Sequence, residues 1–118
     1  MRVRQAVGRF GEHVAADHLV ADGMRVLERN WRCRLGEIDI VALDGECLVI
    51  CEVKTRRSLA FGFPVESVTP AKLARLRRLA AGWLDTCDRG YAEIRIDVIS
   101  VTFPRGGRPE VEHLRAVG

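Results

Sequence analysis

The chain has 118 residues, of which 47% are hydrophobic and 30% charged, with a formal net charge of +3. That length suits one domain over residues 1–118 with a real core and excludes two. No apolar run approaches the ~20 residues of a membrane span, and the N-terminal MRVRQAVGRF lacks a signal peptide's apolar centre, so a cytoplasmic protein is expected; the small positive surplus permits a phosphate-bearing partner without demonstrating one.

Residues from about Arg4 to Asp22 have helical periodicity, with Val7, Phe10, Gly11, Val14, Ala15 and Leu19 on one side and Gly23 placed as the C-terminal stop. A short strand from Met24 to about Arg29 follows. Two strand-like runs, Cys33 to Leu43 and Glu46 to Thr55, are joined by Asp44-Gly45, a strong two-residue hairpin signal. Arg56 to Val68, with Gly62 and Pro64, reads as a loop. Thr69-Pro70 then opens a second helix, Thr69 as N-cap and Pro70 in the first turn, with Leu73, Leu76, Ala80, Trp83 and Cys87 along its buried side. Tyr91 to Phe103 is a strand, PRGGRP a turn, and Val111 to Val117 a last strand. The resulting α-β-β-β-α-β-β order predicts an α/β fold, a mixed sheet with helices packed against it and a right-handed strand-helix-strand crossover.

Cys33, Cys47, Cys51 and Cys87 form no CxxC pair and sit mostly in apolar runs, where a free thiol behaves as a small buried hydrophobe; disulfides and zinc are not expected. His13 and His18 are five residues apart and point in different directions on a helix, so they and His113 lack metal-ligand spacing.

The chemistry concentrates around the hairpin. Counting outward from an Asp44-Gly45 turn pairs Leu43 with Glu46, Asp39 with Ile50 and Glu37 with Glu52, so that Glu37, Asp39, Glu52 and Lys54 project from one face. Ile38, Ile40, Ala42, Cys47, Val49, Cys51 and Val53 form an apolar opposite face. Cross-strand neighbours lie ~5 Å apart, so the acids repel one another unless neutralised. A divalent cation bridging Asp39 and Glu52 would do that, with Lys54 as a further cation beside it; the blander alternative is a rim of exposed charges with an ordinary ion pair. Of nineteen basic residues only Lys54 and Lys72 are lysines. An ammonium can point at one atom where guanidinium is a rigid fork, so a retained lysine hints at a point charge with a task. Glu12 lies at the edge of the first helix's apolar side, where it can lean toward the sheet or remain solvated.

Lys72 in a first helical turn opposes the macrodipole at a cost of ~0.3–1 kcal/mol. With Arg75 and Arg78 it forms a basic stripe at three-residue spacing. Such a stripe is usually a solvated face, but with Arg56, Arg57 and the helix N-terminus it also suits a phosphate backbone. Phe61 and Phe63 in the intervening loop are placed either to stack on bases or to anchor the loop.

Asp39 followed by Glu52-Val53-Lys54 on the adjoining strand resembles the D…ExK core of the PD-(D/E)XK, or restriction-endonuclease-like, superfamily, without the preceding proline. The order GxxGE at Gly8 to Glu12, GEIDIVA at Gly36 to Ala42, EVKTR at Glu52 to Arg56 and RIDVISV at Arg95 to Val101 is similar to that of the YraN-like family of small bacterial endonuclease-like proteins, over almost the entire chain. Cys51 departs from that pattern, which commonly has a bulky apolar residue before the glutamate. The resemblance implies a relation to archaeal Holliday-junction resolvases. It makes Asp39 and Glu52 ligands of Mg²⁺ or Mn²⁺, Lys54 the residue that positions or activates water, and Glu12 an additional catalytic acid. Lys72 matches a lysine position on the family's second helix. The expected activity is phosphodiester hydrolysis in DNA, including branched or junction DNA, where paired cuts require a homodimer. The alternative is a nucleic-acid-binding module that keeps the nuclease-like fold without hydrolysis.

Overall fold

Gly23 ends the first helix. The computed structural model describes residues 3–56, 68–87, 89–104 and 107–118, and helix α1 spans Val3–Ala21. Gly23 has φ 91; its N–H donates to the Val20 carbonyl at 3.0 Å while the Met24 N–H reaches the Leu19 carbonyl at 2.9 Å. This double closure satisfies the last helical carbonyls through a left-handed residue that costs glycine nothing.

Strand β1 (Arg25–Cys33) is longer than its sequence suggests and turns through Arg34-Leu35 into β2 (Gly36–Asp44), with Cys33 paired to Gly36. The run from Cys33 to Leu43 is therefore not one strand. The next turn also differs from expectation. Asp44 pairs with Cys47, so Gly45-Glu46, rather than Asp44-Gly45, are the central turn residues, and Gly45 takes φ 60 at the first of them. A glycine at that position gives the other common two-residue hairpin turn, in which only the first central residue needs positive φ. The register consequently moves by two residues: Val41 pairs with Ile50 and Ile40 with Cys51, and the next rung would set Asp39, not Glu37, against Glu52. An even shift preserves the expected face of Ile40, Ala42, Val49, Cys51 and Val53, which share one core; Ile38, expected on that face too, packs in the opposite core instead.

β3 (Cys47–Arg56) is the central strand, antiparallel to β2 and parallel to β4 (Glu93–Thr102) from Cys47↔Glu93 to Arg56↔Thr102. Helix α2 (Pro70–Leu84) lies between those two strands in the chain, and β5 (Glu110–Leu114) closes the sheet antiparallel to β4. The sheet order is β1-β2-β3-β4-β5, the α/β, α-β-β-β-α-β-β arrangement expected. Thr69 caps α2, its Oγ1 accepting the Lys72 N–H at 3.2 Å, with Pro70 at the start. Leu76, Leu79, Ala80 and Trp83 are its buried residues; Cys87 lies beyond its end.

Each helix covers one face. Ala15, Ala16 and Leu19 of α1 pack with Ile40, Ala42, Val49, Cys51, Ile99 and Val101. Leu76, Leu79, Ala80 and Trp83 of α2 pack with Ile38, Val41, Leu48, Ile50 and Ile96. Ile38 and Ile40, two residues apart, thus serve opposite cores, so the alternation of β2 breaks at Asp39. Across from this point Asn30 adopts φ 54, between the Arg29↔Ile40 and Trp31↔Ile38 pairs, a left-handed backbone that asparagine tolerates better than most residues. Of the cysteines, all free, only Cys51 is buried and Cys33 is exposed. Among the described residues no helix is long and apolar enough to cross a membrane.

Candidate active site

The break at Asp39 brings together groups from three elements. The β2–β3 ladder stops at Ile40↔Cys51, and beyond it the Val53 N–H donates to Asp39 Oδ2 at 2.8 Å instead of to a backbone carbonyl. That bond seats the Asp39 carboxylate against β3 between Glu52 and Lys54. From the other side α1 approaches closely: a Cβ on Gly11 would lie 2.0 Å from Thr55 Oγ1. The missing side chain lets the helix settle on the end of β3 and delivers the next residue, Glu12, to the same place. Carboxylate oxygens of Glu12, Glu37 and Asp39 lie within 4.8 Å of one another. Asn30, with its amide nitrogen turned toward the acids, donates to Glu12 Oε2 at 2.7 Å and Glu37 Oε1 at 3.0 Å; the reverse orientation would set oxygen against oxygen, so the hydrogen-bond chemistry decides between them.

Glu52 is 9% exposed and turns toward α2. Lys72 Nζ lies 3.1 Å from its Oε2 and Arg75 Nη2 3.7 Å from its Oε1. Oε2 nevertheless has no hydrogen bond of acceptable angle, so the lysine supplies charge but leaves the buried oxygen's lone pairs free. These contacts account for Lys72 in a first helical turn: attraction to a buried carboxylate offsets the unfavourable dipole. Lys54, two residues along β3, is held below the usual lysine range by the neighbouring Lys72 amine and then by burial, against the attraction of Glu52 and Asp39. Ser100, beside Lys54 in the parallel ladder, is buried with an unpartnered Oγ.

The acids carry the opposite strain. Burial, followed by the charges of Glu12, Glu37 and Glu52, pushes Asp39 from 3.8 to about 6 despite the Val53 hydrogen bond. Burial and Glu37 also raise Glu12, while Arg29, Asn30 and Arg32 pull it down. Negative charge in this corner is therefore incompletely compensated by the protein.

Asp39, Glu12, Glu52, Lys54 and Lys72 meet in one neighbourhood, but in a grouping the sequence did not indicate. Glu12 and Glu37 are the acids closest to Asp39, and Glu52 is engaged by Lys72 and Arg75. The stripe of α2 is divided: Lys72 and Arg75 face Glu52, whereas Arg78 is exposed. Arg56 ends β3; Arg57, Phe61, Phe63 and the side chain of Val7 lie outside the described residues. Sequence reasoning missed Asn30 and the arginines of the adjoining cavity, a space of about 670 Å³ lined by Arg9, Glu12, Arg29, Asn30, Arg32 and Glu37 among others. Arg32 Nε donates to Glu37 Oε2 at 3.1 Å. Arg9 lies at an unspecified position of the GxxGE stretch, and Asn30, Arg29 and Arg32 lie on a strand without a motif, so only the three-dimensional meeting with Glu12 singles them out.

Residues 11–101 match the model of the Uncharacterised protein family UPF0102. A UPF0102 protein of Beutenbergia cavernae is 59% identical over 118 residues, covering 100% of both chains. Another from Nocardioides sp. is 55% identical, covering 98% of this chain and 94% of its own, and one from Streptomyces coelicolor is 56% identical, covering 99% and 92%. The matched segment runs from the glycine that seats α1 to the end of β4 and contains Glu12, Asp39, Glu52, Lys54 and Lys72. With that coverage and identity, the chain belongs to the UPF0102 family.

Proposed function

We propose that this protein is a divalent-metal-dependent nuclease of restriction-endonuclease-like fold, hydrolysing phosphodiester bonds in DNA, with branched or junction DNA as the substrate class the resemblance to junction resolvases favours. The observation that carries the reading is the meeting of Asp39, Glu52, Lys54 and Glu12 where the β2–β3 ladder stops. Hard carboxylate oxygens with uncompensated negative charge suit Mg²⁺ or Mn²⁺, whose oxygen ligands sit ~2.1 Å from the ion. The 4.8 Å limit on the spread of the Glu12, Glu37 and Asp39 oxygens is within reach of such a set after small side-chain adjustment. Asp39 and Glu52 would hold the ion, Glu52 by turning from Lys72 and Arg75, with Glu12 completing the acidic shell.

A bound ion supplies Lewis-acid polarisation of a phosphoryl oxygen. The chain's residues do the rest. The Val53 N–H fixes Asp39 Oδ2, and β3 carries Glu52 and Lys54 on one side. Lys54 presents an ammonium that one phosphoryl oxygen or one water can accept from, and Lys72 weakens its hold on the proton. Arg9, Arg29 and Arg32 around the adjoining cavity offer positive charge to a phosphate backbone on the α1 side. Two cuts across a junction would require two such sites and hence a homodimer.

Cleavage of duplex, junction and flap DNA and of RNA, each with Mg²⁺ or Mn²⁺, tests the proposal beside Glu52→Ala. Metal-dependent cutting by the wild type and none by the folded variant is expected. Equal cutting by the two, or no cutting of any substrate, refutes it. One observation favours a second reading: Lys72 and Arg75 already neutralise Glu52, as in a structural ion pair. That arrangement suits a binding module without hydrolysis, which would shift DNA in a gel equally with and without Mg²⁺ and never cut it.

A further inference from the structure

The two histidines that share no local spacing meet in the folded chain. His18 stands in the last turn of α1, six residues or ~9 Å along the helix from Glu12, and His113 on β5. His18 Nε2 lies 3.2 Å from His113 Nδ1, with the rings edge to face at 71°. Asp22, four residues after His18, completes a set of three ligand atoms within 4.8 Å of one another. Tetrahedral coordination at Zn–N distances of ~2.0–2.1 Å places neighbouring ligand atoms ~3.3 Å apart, close to the separation of the two ring nitrogens.

Behind this set is a buried support. His113 Nε2 is 2.7 Å from Asp97 Oδ2, and Asp97 is 0% exposed. Asp97 Oδ1 also accepts the Ala116 N–H at 3.0 Å and Arg95 Nε at 3.1 Å. With His113 Nε2–H donating to Asp97 Oδ2, Nδ1 carries the lone pair and faces His18. A carboxylate fixing the far nitrogen of a histidine is the usual second layer of a metal site. Arg115 pairs with Asp22 and lies 3.8 Å from Asp44 Oδ2, and Arg95 binds Asp44 at 2.9 Å. Three carboxylates, Asp22, Asp44 and Asp97, thus face two arginines, and the balance accepts a cation.

We propose that His18, Asp22 and His113 form a binding site for a zinc-class transition ion, oriented by Asp97 and separate from the acidic site at Asp39. Two imidazole nitrogens and one carboxylate oxygen select Zn²⁺, Co²⁺ or Ni²⁺ over Mg²⁺. Occupancy would pin the end of α1 to the edge strand β5. The competing arrangement is a proton-linked chain in which His18 Nε2–H donates to His113 Nδ1 and no ion binds.

The test is a Co²⁺ titration of the full chain in excess Mg²⁺, read by visible d–d absorption, followed by Zn²⁺ displacement. One equivalent giving a tetrahedral-type band without thiolate charge transfer is expected. His18→Ala, at a half-buried position, should bind at least tenfold more weakly, and Asp97→Asn about 10–100-fold more weakly. Asp39→Asn should leave the band intact, which keeps this result independent of the nuclease reading. No band in the wild type, a band unchanged in His18→Ala, or one lost in Asp39→Asn overturns the proposal.

Discussion

Replacing Asp39 with asparagine should stabilise the metal-free protein at neutral pH while removing a ligand. The carboxyl is raised from 3.8 to about 6 by burial and by Glu12, Glu37 and Glu52. At ~1.4 kcal/mol per tenfold change in proton affinity, that shift corresponds to about 3 kcal/mol against the ionised form in the folded state. The folded protein binds the proton more tightly than the unfolded chain. Stability therefore falls as pH rises from 3.8 to about 6, and the penalty is complete above that window and absent below it. Asparagine is neutral throughout, and its Oδ1 can still accept the Val53 N–H, although that bond loses its charge assistance. We expect a net gain of ~1–3 kcal/mol at pH 7.5 in EDTA, which moves the urea midpoint by roughly 1 M, and convergence with the wild type near pH 4. Mg²⁺ should then narrow the gap, because an ion bound only by the folded wild type stabilises it by mass action. A variant less stable than the wild type at pH 7.5 in EDTA, or a difference independent of pH, would refute the account of buried, mutually repelling acids.

Gly11→Ala should cost ~1–3 kcal/mol, because the new methyl meets Thr55 Oγ1 at 2.0 Å and the Thr55 Cβ at 2.9 Å; an unchanged melting temperature would mean that α1 does not approach β3 so closely. Arg95→Met leaves Asp97 buried without its guanidinium and should cost ~3–5 kcal/mol in urea denaturation. A loss under 1 kcal/mol would show that His113 and the Ala116 N–H suffice for that carboxylate.

The order of elements was legible because its signals are local. Gly23, Thr69-Pro70 and the apolar run of β3, buried on both faces, each act within a few residues, and each is where the sequence placed it. The hairpin register was not, because Asp-Gly can occupy either the two central turn positions or the position before them together with the first; tertiary pairing, not the dipeptide, selects between these. From Ile40 onward the faces survived the error because the shift was even, whereas Ile38, before the break, lies on the face opposite to the one expected. The break at Asp39 was illegible for another reason. It depends on Asn30 on the neighbouring strand and on Val53 donating to a side chain, and neither leaves a periodic trace. His18 and His113 show the same limit: ligand spacing along a chain detects pairs on one element, whereas these meet across the packing of α1 on the sheet edge.

The sheet's sequential strand order bears on how the site forms. β1, β2 and β3 are joined by two tight turns, so the meander holding Asp39, Glu52 and Lys54 is made of short-range contacts and can assemble early at small loop-closure cost. β4 must wait for a parallel crossover through α2, and Glu12 for the docking of α1. Of the mutually repelling acids, Glu12 is thus the one brought in last, by the docking of α1 that also buries Ala15, Ala16 and Leu19.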